Sequence, residues 1–320
     1  MTDFLVGGYG ADMGGTGSGM LWARSSADGR LEIRGLAAEL DSPSWITVDG
    51  DRVFAALEGA GAVIELELVG SRLAPAAHHV VGKWPCHIAV ADGQPIVANY
   101  GDGTVWTPTI SLVGTAERGP LEAQDGPHAH HVLVIGDRIL TLDLGSDRMY
   151  LHRLEHGVLV RYDELAFPPG TGPRDLLVLP DGRLAVLGEW SCELLLLEAM
   201  GTTFEIVQIV PLPGGSPGED QAAALGLSAD GRFVFAGIRG SNRIATLALD
   251  ADAVRPVGWV PSGGEWPRHL VVDGEFVHVA NQLSNAITTF RVLHDGTLAP
   301  VGEPVAVPSP TCLAAVGGGR

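Results

Sequence analysis

Polar and charged residues recur in this chain at matched places, and their types suit an anionic ligand. Cys86, His130, Arg174 and Arg268 open equivalent apolar runs, and Asn99-Tyr100, Asp143, Glu189, Arg239 and Asn281-Gln282 close the runs that follow. Guanidinium groups hold phosphate or carboxylate in bidentate fashion. A carboxylate and an imidazole in the same set add groups that accept and pass protons. Taken singly, each of these residues reads equally well as a solvated loop residue. Their recurrence at matching positions favours one shared pocket for a small, polar, anionic molecule.

The elements that must position them follow from a repeat. A proline or small residue leads a short apolar run, an Asp/Gly turn, a second apolar run and a polar cluster. Copies start at Pro43, Pro85, Pro127, Pro173, Gln221, Pro267 and Pro310, spaced 42, 42, 46, 48, 46 and 43 residues apart. A period of this size, with several short strands per unit, marks a β-propeller. One unit reads in full from Arg174 to Glu198: a strand at Leu176-Leu177-Val178-Leu179, a turn at Pro180-Asp181-Gly182-Arg183, a second strand at Leu184 to Gly188 and a third at Glu193 to Leu197. Such runs, four to six residues long and bounded by turn residues, form hairpins. No segment shows helical periodicity over three turns.

Six units are complete. The C-terminal run Thr311 to Val316 supplies one inner strand, and Phe4 to Tyr9, Met20 to Arg24 and Leu31 to Arg34 supply the three that complete it. The expected fold is therefore all-β: a seven-bladed β-propeller of four-stranded antiparallel blades, with the last blade closed by strands from both termini. A single blade cannot bury its own faces, so one domain is expected across residues 1–320. In such a ring, the residues that lead each inner strand and those that follow each second strand gather at one mouth of the central channel.

Composition narrows the ligand. The formal net charge is −18 and Lys83 is the only lysine, which argues against nucleic acid as a partner. A local arginine cluster still holds a small anion against that background. No apolar stretch approaches the roughly 20 residues needed to span a bilayer. The N-terminus, Met1 to Gly8, has no basic region or long apolar run, so no signal peptide is expected and the chain reads as cytoplasmic. Cys86, Cys192 and Cys312 lack metal or redox spacing and read as small buried side chains.

The phrases Gly126-Pro127-His128-Ala129-His130, Gly172-Pro173-Arg174, Val97-Ala98-Asn99-Tyr100-Gly101 and Val279 to Asn285 carry a resemblance over nearly the whole chain. It resembles the seven-bladed propeller lactonases, which include the propeller-type 6-phosphogluconolactonases and the carboxy-muconate cyclases. The resemblance implies a metal-independent, cofactor-free lactonase with its site at one channel mouth. The family's His/Arg/Glu/Arg set falls on His130 (or His128), Arg174, Glu189 and Arg239. Three positions depart from the family pattern: Asp175 stands where a histidine is usual, and Gly188 and Ile238 where asparagines are.

These residues give a mechanism. Glu189 acts as general base on a water, with an arginine neighbour keeping it ionised. Arg174 and Arg239 hold the developing oxyanion or the substrate's anionic group. His130 passes the proton to the leaving alkoxide. His128, Arg268, Asn99 and Gln282 are expected to bind the substrate, a small anionic lactone, in a monomer or weak homo-oligomer. Two other readings use the same fold: a non-catalytic binding scaffold, and a carboxy-muconate-type cycloisomerase.

Three rival signals rank lower. His128, His130 and His131, with His78-His79, have no acidic partner at metal-ligand spacing, and strand alternation separates His131 from the other two. Gly14 to Gly19 has the composition of a phosphate loop but lacks its Gly-Lys ending and following helix. Trp45, Trp84 and Trp266 read as packing between blades rather than as a stacking platform.

Overall fold

The computed structural model describes residues 1–114, 117–250 and 253–317. Each repeat folds as its hydrophobic pattern dictates. In the fourth repeat, Pro173–Val178, Leu184–Gly188, Glu193–Met200 and Thr203–Pro211 pair in sequence as one antiparallel sheet. Its first turn is set by Gly182 at φ 87° and by the Asp181 carboxylate, which accepts from the Arg183 N–H at 3.0 Å. Only glycine adopts that left-handed backbone freely.

Seven such sheets form the ring. Their innermost strands are Pro43–Asp49, Pro85–Ala91, Ala129–Ile135, Pro173–Val178, Gln221–Leu227, Pro267–Asp273 and Pro310–Val316. We number the blades one to seven in that order. In the seventh, the C-terminal strand Pro310–Val316 pairs with Asp3–Gly8, which continues into Gly19–Ser25 and Leu31–Glu39. Both termini therefore close the ring, as expected from the repeat. Blade six departs from the simple pattern: its outer edge is split into Leu298–Pro300 and Val305–Ala306, which both pair with Ala286–Val292. One 3-10 turn, Ala11–Met13, is the only helix among the described residues.

The core is a set of seven apolar seams, one between each pair of adjacent blades. Leu140, Leu142, Met149 and Leu151 of blade three meet Leu176, Val186, Leu195 and Leu197 of blade four. Leu5 and Met20 of blade seven meet Ile46, Val53 and Leu66 of blade one. The apolar clusters lie between neighbouring blades rather than in one central cluster, as in a ring of blades around an axis.

One feature was not visible in the pattern. Every inner strand carries a β-bulge at the same place, leaving Ser44, Cys86, His130, Arg174, Ala223, Arg268 and Thr311 as the extra, unpaired residues. A bulge turns its residue off the pleat, and here it faces each of them toward the axis. The register also corrects the fifth repeat. Ala222 pairs with Ile238 and Ala224 with Gly237, so Ala222, not Gln221, stands in the place of the leading prolines, and Ala223 is the extra residue. In the third repeat the leading place is held by Ala129, two residues beyond Pro127.

Candidate active site

The mouth is built from two positions per blade. The bulged residue comes first. The second is the residue just beyond the partner of the leading residue: Tyr9, Glu58, Tyr100, Leu144, Glu189, Arg239 and Gln282. A left-handed residue precedes the leading proline in five blades: Ser42, Trp84, Gly172, Trp266 and Ser309. For a tryptophan that backbone is strained, with Trp84 at φ 56° and Trp266 at φ 65°. The strain puts large rings on the rim. The Arg239 guanidinium lies 5.2 Å from the Trp266 ring, and Trp84 stacks on Tyr100 at 6.4 Å.

Glu189 lies between two guanidiniums. Arg174 Nη1 donates to Glu189 Oε2, and Arg239 Nη2 lies 2.8 Å from Glu189 Oε1. All three side chains are buried. The Arg239 contact is close but off-axis, so its Nη2 hydrogens have no aligned acceptor among the described residues. Arg174 Nε donates to Ala223 O at 2.9 Å, and Arg239 Nε to Gln221 O at 3.1 Å, which fixes both forks. Burial raises the Glu189 carboxyl, but Arg174 and Arg239 outweigh it and hold it below the usual range. Burial pulls Arg239 down to about 9, which leaves it charged at neutral pH.

A second cluster stands across the mouth. The Tyr9 hydroxyl donates to Glu58, 2.9 Å from both carboxylate oxygens, and accepts from Arg268 Nη2 at 2.6 Å. Arg268 Nη2 is 3.9 Å from Glu58 Oε2, and Nη1 is 3.5 Å from Gln282 Oε1. Arg268 thus reaches from blade six over blade seven to blade one. Tyr9 and Glu58 were missed in the sequence. Their only signal is their offset from a second strand, the same as that of Glu189.

His130 faces the mouth between these clusters. Burial, then the positive fields of Arg174 and Arg268, push its imidazole well below the usual range, so it is neutral. Its Nδ1 is buried with no hydrogen-bond partner among the described residues. Beneath the bulged residues lies a second layer. The rings of Trp45 and His87 are 4.1 Å apart, those of His87 and His131 3.8 Å, and His131 Nδ1 is 3.0 Å from Asp175 Oδ1. His87 and His269 each accept a backbone N–H at Nδ1 (3.3 Å in both), from Val132 and Leu313. The two layers enclose a cavity of about 30 Å³.

Other expected groups fall elsewhere. Both His128 nitrogens are occupied, Nδ1 by Tyr100 O at 2.8 Å and Nε2 by Asp125 at 3.0 Å. Its ring stacks on Tyr100 at 4.5 Å, so it backs a mouth residue rather than facing the ligand space. Asn99 is fully buried in the wall, donating to Val81 O and Thr104 Oγ1. Asn281 donates to Val279 O and Thr288 Oγ1, and Asp143 accepts three loop N–H groups, from His128, Gly145 and Ser146. These three residues are the strand ends just before the mouth position and hold its loops. His128, His130 and His131 thus point to three different surroundings.

The unusual positions have structural reasons. Asp175 pairs with His131 and accepts the Leu225 N–H at 2.8 Å. At Gly188 a Cβ would lie 2.2 Å from Ser191 Oγ, and Ile238 is packed in the seam between blades four and five. The cysteines are free and buried, and burial pushes Cys192 up to about 11 and Cys312 up to about 12. Gly14 to Gly19 joins two strands and is pinned by Thr16, whose N–H donates to Ser309 Oγ at 3.1 Å.

A model of the family described as "Lactonase, 7-bladed beta-propeller" matches residues 3–315. The chain belongs to the seven-bladed propeller lactonases. The 6-phosphogluconolactonase of Bacillus subtilis is 29% identical over 309 residues, covering 87% of this chain and 88% of that protein. A solved protein from Lactobacillus plantarum is 26% identical with a TM-score of 0.90, covering 98% of this chain and 99% of that one. The periplasmic gluconolactonase of Pseudomonas aeruginosa is 25% identical with a TM-score of 0.88, covering 98% and 99%. The family resemblance read from the motifs is thus borne out, and with it the lactonase class. Among the described residues, no helix is long and apolar enough to cross a membrane.

Proposed function

We propose that this protein hydrolyses a sugar lactone, in the manner of a 6-phosphogluconolactonase, by metal-independent acid–base chemistry at the channel mouth. The observation that carries the reading is a buried carboxylate, Glu189, clamped by Arg174 and Arg239 beside the neutral His130. The clamp keeps Glu189 ionised but weakly basic. A substrate anion or carbonyl oxygen draws the guanidinium hydrogens toward itself, and the carboxylate gains basicity. Glu189 then takes a proton from water as the water oxygen attacks the lactone carbonyl carbon. Arg239 Nη2, paired with Glu189 but without an aligned acceptor among the described residues, turns its hydrogens to the developing oxyanion. The ring C–O bond breaks as neutral His130 gives its N–H proton to the departing alkoxide, and the proton taken up by Glu189 restores the imidazole. Arg268 and Gln282 complete the mouth on the substrate's far side.

The test is acid release in a pH-stat on 6-phosphogluconolactone and δ-gluconolactone, with product identity read by NMR. Glu189→Gln is expected to lower kcat/KM by about 10²-fold or more at an unchanged Tm. A wild-type rate no faster than spontaneous opening would overturn the reading in favour of a binding scaffold. Interconversion of a muconate with its lactone, without net hydrolysis, would favour a cycloisomerase.

A further inference from the structure

We propose that Tyr9, Glu58 and Arg268 form a subsite for the hydroxyl groups of the substrate, and so select polyhydroxylated lactones over unadorned ones. This rests on the lactonase reading above and names the part of the substrate that the far side of the mouth recognises.

Position comes first. Tyr9 belongs to blade seven and Glu58 to blade one, each three steps from blade four, the largest separation a ring of seven allows. A ligand whose reacting carbon lies at Glu189 on blade four therefore extends toward them. Charge comes next. Near Glu189, two guanidiniums face one carboxylate, which leaves net positive charge for an anion. Across the mouth, Arg268 faces Glu58 one to one, with the Tyr9 hydroxyl between them. A neutral site with strong donors and strong acceptors side by side suits hydroxyl groups, each of which both donates and accepts.

The neighbouring wall is made of small residues and adds a partner. The bulged residues of blades seven, one and two are Thr311, Ser44 and Cys86, all small. Ser44 lines the cavity, is 4% exposed, and its hydroxyl has no hydrogen-bond partner among the described residues. A structural role explains the trio poorly, because a buried ion pair adds little stability over apolar groups of similar volume.

The experiment compares δ-gluconolactone with δ-valerolactone, which has the same ring and no hydroxyls, in wild type, Tyr9→Phe and Glu58→Gln. In the variants, the ratio of kcat/KM for the two lactones is expected to fall about 10- to 100-fold, mostly through KM, the range of a lost charge-assisted hydrogen bond. Equal losses on both lactones would overturn the subsite. Calorimetry with the two products, gluconate and 5-hydroxyvalerate, needs no turnover. Both are monoanions, so tighter gluconate binding reports the hydroxyls, and that advantage is expected to shrink in Tyr9→Phe. A wild type that binds both equally sinks the subsite. A wild type that prefers gluconate but opens no lactone sinks the lactonase reading and leaves the subsite standing. Tyr9→Phe removes one oxygen atom, so an unchanged Tm separates loss of binding from loss of folding.

Discussion

Glu189 meets two guanidiniums, and its basicity is set by what those guanidiniums hold. Removing one is therefore expected to show in the pH profile as well as in the rate. A nearby positive charge lowers a carboxyl pKa, so Arg239→Gln raises it, and the acid limb of kcat/KM moves to higher pH by about one unit. An unmoved limb would mean that Arg239 acts on the substrate alone. Arg239→Lys keeps the charge but loses the planar fork, so the limb stays while KM for an anionic lactone rises roughly tenfold. At this scale the sequence was informative wherever a side chain sat in a recurring phrase. Arg174 and Arg268 follow prolines, and Glu189 and Arg239 end apolar runs. Tyr9 and Glu58 carry no phrase and became visible only through pairing register. Asn99 was misplaced at the mouth because a strand's last residue and the one after it differ by a single position and face different surroundings.

The strand pattern was legible because alternating burial and turn chemistry are local properties. The bulges were not, because one extra residue leaves apolar runs looking alike while it turns a side chain from the sheet face to the axis. Without the bulge, Arg174 would lie on the pleat. The inter-blade seams are as demanding. Gly7 on Asp3–Gly8 has room for no side chain: a Cβ there would lie 2.1 Å from Pro43 O of the next blade. Gly7→Ala is expected to destabilise the fold by about 1–3 kcal/mol in urea unfolding, by forcing blades seven and one apart. Leu187→Ala, in the seam between blades four and five, is expected to cost about 2–5 kcal/mol, and a loss below 1 kcal/mol would show that the seam closes over the gap.

The whole molecule stores its stability around a ring, and several buried histidines make that stability depend on pH. Burial holds His87 and His130 well below the usual range, His152 at about 3 and His269 at about 4. In the unfolded chain these groups titrate near the ordinary value of about 6.5. Above that pH both states are neutral and the contribution is complete. As pH falls toward 4 and then 3, the unfolded chain binds protons that the fold refuses, and stability drops. Tm measured by calorimetry is therefore expected to fall between pH 7 and pH 4, where a flat profile would contradict buried neutral imidazoles. The seventh blade has a further consequence, in time rather than in space. Asp3–Gly8 leaves the ribosome about 300 residues ahead of its partner Pro310–Val316. At about 5–20 residues per second, the edge carrying Phe4, Leu5 and Val6 waits roughly 15–65 s for its mate. Until then the nascent chain offers an open apolar strand to any neighbour, and its hydroxyl-binding cluster, which needs Tyr9 and Arg268 together, does not yet exist.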